Sequence, residues 1–329
     1  MTTAAGPLVR LAAFACIASI GFCIALPASA QNFPSKPVRI VVAFAPGGST
    51  DLAARALVPR LQEAFGQPVI VENRPGAGGA IGVDAAAKAP PDGYLLAVSA
   101  PGALTVNMHF AKLPYDALKD VTPVTRLARG PLVLGVNAAL PIQSIADLLA
   151  YAKANPGKLS FSTTGPNNLS HLAGELLKHL AHIEMTAVPY KGASPGSAAI
   201  ASGEVQIGFM DTTGVQPFVQ SGKVRLIAIC EATRSGTLPN LPTIAESGVP
   251  GYAANSWLAL VAAGGTPNDV LARLNNEFSR VLKLPAIRDA YANAGLEASP
   301  NTPEEMKQII RSDFERWRVL ISEAGIKGD

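Results

Sequence analysis

Short runs of β-branched residues alternate with helical stripes along nearly the whole chain, and that alternation most narrows the folds open to it. VRIVVAF (38–44) and PVIVEN (68–73) are apolar runs closed by turn residues. Between them Leu52, Ala56, Leu57, Leu61 and Phe65 recur at helical spacing, so the segment reads strand, helix, strand. The pattern continues through YLLAVS, LVLGVN, KLSFSTT, MTAVPY, VQIGFMD and VRLIAIC, with helical stretches at Ile145 to Ala154 and Leu169 to Leu180. An α/β class with largely parallel sheets follows. No long linker interrupts it, so two lobes would be joined by ordinary strands, expected near Thr125 to Leu134 and Tyr252 to Val261.

Helix starts are well marked toward the C-terminus. Thr266-Pro267 sets a cap before a first-turn proline, and Thr302-Pro303-Glu304-Glu305 is a capping box. Ile310, Phe314, Trp317 and Ile321 then form a core stripe, with Gly325 placed to terminate the helix.

The first thirty residues read as an export signal. Arg10 supplies the positive charge, Leu11 to Leu26 the apolar stretch, and Ala28-Ser29-Ala30 a small-x-small cleavage site. The expected product starts at Gln31, retains only Cys230 of three cysteines, and so has no internal disulfide. Removing Arg10 from 27 basic residues leaves 26 against 24 acidic ones, a balance that argues against nucleic acid as a partner. The remaining chain is long enough to bury a core without staples.

Enzyme motifs are present in form only. GASPG (192–196) fits a nucleophile elbow around Ser194, but the next residue, Pro195, has no N–H for an oxyanion, and every histidine lies upstream. GAGGAIG fails as a dinucleotide fingerprint because Ile81 stands where the third glycine belongs, and no glycine loop is followed by G-K-[ST]. His171, Glu175 and His179 share a helical face, but eight residues of helix set the outer two about 12 Å apart, too far for one ion. His109 stands alone in a polar stretch. No catalytic set, metal site or cofactor is therefore expected.

What remains is a set of strand-to-helix junctions. A helix N-terminus leaves up to four N–H groups without intrahelical partners and carries about half a positive charge. In FAPGGSTD (44–51), Gly47 and Gly48 admit a ligand close to the backbone, and Ser49 and Thr50 add hydroxyls. Asp51 either caps the helix or receives a ligand's ammonium or hydroxyl group. FSTTGPNNLSHLAGE (161–175) and PYKGASPGSAA (189–199) share the design. Junctions from two lobes facing one crevice would clamp a small acid, with closure as a hinge motion. Micromolar capture needs about 8 kcal/mol, and a hydrogen bond to a charged group contributes about 1.5–3 kcal/mol, so four or five suffice.

The segments PSKPVRIVVAFAPGGSTD, VENRPGAGGAIG, PDGYLL, YDALKD, SHLAGEL, VPYKGASP, LPNLPTIAESGVPGY and GTPNDVLARLN, in that order, resemble the Bug-type, TctC-like solute receptors of tripartite tricarboxylate transporters. The resemblance covers nearly all of residues 33 to 329. It implies a periplasmic-binding-protein type II-like fold, two α/β lobes around a cleft, with lobe one formed by residues 31–128 and 254–329 and lobe two by 129–253. It implies a monomeric periplasmic receptor for a di- or tricarboxylate, amino acid or aromatic acid. Its partners would be the transporter's membrane subunits or, alternatively, a membrane sensor kinase; an exported hydrolase using Ser194 is the remote third reading. Carried over position by position, the ligand contacts would be Phe44, Gly47, Gly48, Ser49, Thr50 and Asp51, then Thr163, Thr164, Gly165, Asn168 and His171, with Tyr190, Lys191 and Asp211 also lining the cleft. The second loop departs from the family's glycine-x-glycine-serine: it reads Gly165-Pro166-Asn167-Asn168. Asn167 can take the left-handed backbone and Asn168 can cap the helix, so the fold is expected to survive while ligand choice changes.

Overall fold

The structure is a computed structural model that describes residues 33–165, 167–190 and 193–326. The export-signal reading, Pro166 and Lys191 lie outside the described residues.

The strands fall into two sheets. The first contains β1 (Val38–Val42), β2 (Val69–Asn73), β3 (Leu95–Ser99), β4 (Val121–Arg129), β10 (Trp257–Ala263) and β11 (Glu297–Ala298), in the order β11-β4-β10-β3-β1-β2. The second contains β5 (Leu132–Asn137), β6 (Ser160–Thr163), β7 (Thr186–Pro189), β8 (Ile207–Asp211) and β9 (Val224–Ile229), in the order β7-β6-β8-β5-β9. The chain leaves the first sheet after Arg129 and returns to it at Trp257, inside both stretches where the crossings are expected. The fold is the two-lobed periplasmic-binding-protein type.

The expectation of largely parallel sheets needs correction. Parallel pairing joins β1 to β2 and β3, and β6 to β7 and β8; β10 runs antiparallel to β3 and β4, β11 to β4, and β5 to β8 and β9. The reason is topological. Only βαβ units with a crossover helix force parallel neighbours, and strands that carry the chain between sheets have no such helix.

Helix α1 (Ser49–Phe65) turns Thr50, Ala53, Ala54, Leu57, Leu61 and Phe65 inward. Leu52, expected in that stripe, is 41 % exposed, since it lies off the 50-53/54-57-61 line. Phe65 meets Phe278 of α7 (Asn268–Leu282) at 6.4 Å between ring centroids, and α8 (Pro285–Asn293) packs beside them. Helix α2 (Ala80–Ala87) and the first half of α9 (Pro303–Glu323) bury Ala80, Val83, Met306 and Ile310 with Val41, Ala97 and Val261 of the first sheet.

In the second sheet, α3 (Ile145–Ala154) and α4 (Leu169–Ala181) pack Leu148, Leu172 and Leu176 against Phe161 and Phe209, whose rings meet edge-on at 5.6 Å. Helices α5 (Ala193–Ser202) and α6 (Thr212–Gln220) pack Ile200 and Val215 with Val133 and Met210. Cys230 is a free thiol buried in this region, and burial pushes its pKa up.

Helix α9 spans both cores. Met306 and Ile310 belong to the first, and Trp317 and Leu320 to the second. Its capping box forms as expected: Thr302 Oγ1 accepts from the Glu305 amide at 3.2 Å and Glu305 Oε2 from the Thr302 amide at 2.9 Å. Gly325 follows the helix at φ 63°. Thr266 does not cap α7. Its hydroxyl donates to Ala263 O at 2.7 Å, closing the turn before the helix, and Pro267 occupies the cap position without a side-chain bond.

Candidate binding site

The first junction leaves β1 through Ala43, whose amide donates to Val98 O, and turns at Gly47, which holds φ 83°. Asp51, 3 % exposed, organises it. Its carboxylate accepts from the Gly47 amide (2.9 Å), Arg55 Nε (2.9 Å) and Asn73 Nδ2 (2.9 Å). Burial pushes its pKa up, but the bonds from Gly47, Arg55 and Asn73 outweigh that and hold the group below its ordinary value. Of the two roles open to Asp51, this is the internal one: the carboxylate is committed within the protein. Asn73 also donates to Phe44 O at 3.0 Å, so one amide side chain pins both ends of the loop.

The first intrahelical bond of α1 runs from the Leu52 amide to Gly48 O, 2.9 Å. The amides of Ser49, Thr50 and Asp51 precede it and are the groups an anion would meet. Gly48 is the cap residue and supplies no side-chain acceptor, so no side-chain cap occupies this helix end.

The second junction is held by a hydroxyl and amide network. Asn168 caps α4, its Oδ1 accepting from the His171 amide (3.1 Å) and from Ser170 Oγ (2.7 Å), while its Nδ2 donates to Thr164 Oγ1 (2.8 Å). The Thr164 amide donates to Ser170 Oγ at 2.7 Å, and Thr163 Oγ1 donates to Gly165 O at 2.9 Å. Asn167 takes the left-handed backbone expected of it, φ 52°, and its amide donates to His171 Nδ1 at 3.2 Å. That bond makes Nδ1 an acceptor and leaves the ring proton on Nε2, which lies 3.8 Å from Glu175 Oε1.

At the third junction the Tyr190 amide donates to Thr163 O (3.0 Å), and its hydroxyl donates to Glu204 Oε1 (2.8 Å). Burial and the Glu204 carboxylate raise the phenol to about 12. Asp211 ends β8 and caps α6 by accepting the Gly214 amide at 2.8 Å. Burial raises its pKa, against the lowering effect of the Gly214 and Thr213 amides.

The first junction and the end of β8 meet across the two sheets. Ser49 and Asp211 line one cavity of about 30 Å³ with Gly130, Thr212, Thr213, Ser256, Leu258, Gly295 and Leu296. Polar contacts join segments of the two sheets beside this cavity and elsewhere. Thr213 Oγ1 donates to Ala294 O (2.8 Å) beside Thr212 Oγ1 to Gly295 O (3.3 Å). The Asn107 side-chain amide is placed to donate to Asn167 O at 3.2 Å.

Asn73, Ser170, Asn107 and the Thr212-Thr213 pair escape sequence reading. Ser170 and Asn73 leave a trace, in the SHLAGEL and VENRPGAGGAIG segments, while Asn107 and the Thr212-Thr213 pair act from segments with no local signature. His109 does not stand alone: its Nε2 lies 3.1 Å from Phe314 O, and its ring packs on Phe314 at 4.4 Å. His179 faces Glu323 (3.9 Å) and not His171, and among the described residues no cluster of three metal-ligating side chains forms. Ser194 is exposed in the first turn of α5, with no hydrogen bond to a histidine among the described residues.

Two lobes, a shared cavity and a helix start without a side-chain cap define a solute-binding protein. Residues 53–326 match the tripartite tricarboxylate transporter family receptor (TctC) family, and the chain belongs to that family. It is 37 % identical to protein BugT of Bordetella pertussis, over 92 % of this chain and 94 % of BugT. Among solved structures it is similar to an R. palustris protein with adipate (35 % identity, TM-score 0.81, covering 90 % of this chain and 99 % of that one). It is also similar to MatC from Rhodopseudomonas palustris with bound malate (30 % identity, TM-score 0.76, covering 88 % and 100 %).

Proposed function

We propose that this chain is a periplasmic receptor that captures a small organic carboxylate between its lobes and presents it to the membrane subunits of a tripartite transporter. Residues 31–128 and 254–329 would form one lobe and 129–253 the other, with residues 1–30 as the export signal. The observation that carries the reading is the first junction. Its helix-end amides carry no side-chain cap, and the loop before them is braced from behind by a buried carboxylate and Asn73. Adipate and malate, held by two relatives of similar fold, belong to the chemical class such donors recognise.

In this reading one ligand carboxylate meets the amides and hydroxyls of Gly47, Gly48, Ser49 and Thr50, and Phe44 walls the entrance. Asp51 holds that loop in register. Thr163, Thr164, Gly165, Asn168 and His171 form the opposing wall, and Tyr190, Lys191 and Asp211 shape the rest. The Asn167-Asn168 replacement puts amide groups on that wall, favouring a ligand whose second polar group both donates and accepts.

The test is thermal unfolding of residues 31–329, refolded from denaturant to strip any carried ligand, against malate, succinate, adipate, citrate, benzoate and aspartate. An acid at a hundred times its dissociation constant should stabilise the protein by about 2.7 kcal/mol. Thr50→Val should abolish most of that shift. Flat curves for every acid would refute the proposal.

A further inference from the structure

A larger pocket, about 510 Å³, lies where the two chain crossings meet, and three arginines line it: Arg126 and Arg129 from β4 and Arg316 from α9. Asn255 and Ser256 enter from the returning crossing, Ala232 and Thr233 from the segment after β9, and Ser312 and Asp313 from α9. Its volume is that of a small-molecule site.

The charges do not cancel. Glu231 accepts from Arg129 Nη2 (2.8 Å) and the Ser256 amide (3.3 Å), and is 1 % exposed. Asp313, 3 % exposed, pairs with Arg316 Nη2 and accepts Trp257 Nε1 at 2.7 Å. Both carboxylates are therefore consumed inside the wall. Arg126 has no acidic partner of its own, spending Nε on Ser299 O (3.0 Å) and Nη2 on Ser299 Oγ (2.7 Å). Among the described residues its Nη1 makes no hydrogen bond, nor do Nε and Nη1 of Arg129, and Arg316 Nε is buried without a partner. Burial, and after it the neighbouring Arg129 charge, press the Arg126 guanidinium below its ordinary pKa, against the opposing pull of Glu231, Glu305 and Glu297. Guanidinium donors in a fixed fork suit planar or tetrahedral oxyanions.

We infer that this pocket is a second binding site, separate from the interlobe site, that takes a small oxyanion, a carboxylate or a phosphate, on Arg126 and Arg129. The uncommitted guanidinium donors of Arg126 and Arg129 suit one anionic group, and Ser312, Thr233 and Asn255 surround it with neutral polar side chains.

Calorimetric titration of the purified protein with sodium acetate and, separately, inorganic phosphate at low ionic strength tests this. Saturable binding of at least one is expected, weakened at least tenfold by Arg126→Gln and unchanged by Thr50→Val. Acetate alone would define the site as one for carboxylates, phosphate alone as one for phosphate groups. Arg126 also anchors Ser299, so Ser312→Glu is the companion variant: the position is exposed on α9, and the added negative charge should abolish binding without unfolding the chain. Failure of both anions to bind, binding indifferent to Arg126→Gln and Ser312→Glu, or binding lost in Thr50→Val would overturn the inference.

Discussion

Replacing Asp51 by alanine tests the brace behind the first junction. The carboxylate is 3 % exposed and accepts three hydrogen bonds. Bonds from Gly47 and Asn73 to a buried charge contribute about 1.5 kcal/mol each at the lower end of their range, since Gly47 is itself exposed and recovers water. Arg55 is 48 % exposed, so its ion pair adds under about 0.5 kcal/mol. The sum, about 3 kcal/mol, should lower Tm by roughly 6 °C in a chain of this length. The loss must depend on pH. Asp51 is held below its unfolded value of 3.8, so its stabilisation is complete above that pH and fades as pH falls through the folded pKa. Calorimetry of wild type and Asp51→Ala should show a gap that is constant from pH 8 to 5 and narrows below about pH 4. Affinity for the best acid of the panel should fall at least tenfold, because the Gly47–Thr50 amides lose their register. A gap below 1 °C at neutral pH, or one that stays constant down to pH 3, would refute the assignment of Asp51 as an ionised brace.

Asp211→Asn should act in the opposite sense. Burial raises the folded pKa of Asp211, so ionising it costs stability at neutral pH; the amide variant, still able to cap α6, should melt higher at pH 7.5, with the advantage vanishing below about pH 4. Gly295→Ala would bring a Cβ within 2.3 Å of Thr212 Oγ1 at a φ of 68°, forcing apart the contact between α6 and the turn before β11; small-angle scattering should show a larger radius of gyration with the ligand present, and affinity should drop. Gly82→Ala would press a Cβ to 2.6 Å from Ala43 Cα, where backbone leaves little room to relax, and should cost about 2–3 kcal/mol in denaturant unfolding.

Local chemistry is legible in the sequence. The capping box at Thr302, the positive φ of Asn167, the Asn168 cap and the strand-to-helix junctions are contacts within a few residues, and a short segment contains all the atoms that decide them. Strand direction was not of this kind. Whether β10 runs parallel or antiparallel to β3 depends on which partner it meets after the 157 residues between Ser99 and Trp257, and the β-branched composition of a strand is the same in both cases. Thr266 differs for a local reason: as a cap its hydroxyl oxygen would accept an amide of α7, but it donates to Ala263 O and Pro267 takes the cap position.

From the order of its residues alone, this protein was already an α/β chain with strand-to-helix junctions and a family's run of motifs, because helical and strand periodicities and caps are short-range. Folding decided what those junctions face: that Asp51 is tied back by Asn73, that Ser49 and Asp211 share a cavity, and that three arginines from β4 and α9 gather at the crossing between sheets. Each of these joins residues far apart in the chain, and only the packing of two sheets through common crossing strands sets the distance between them.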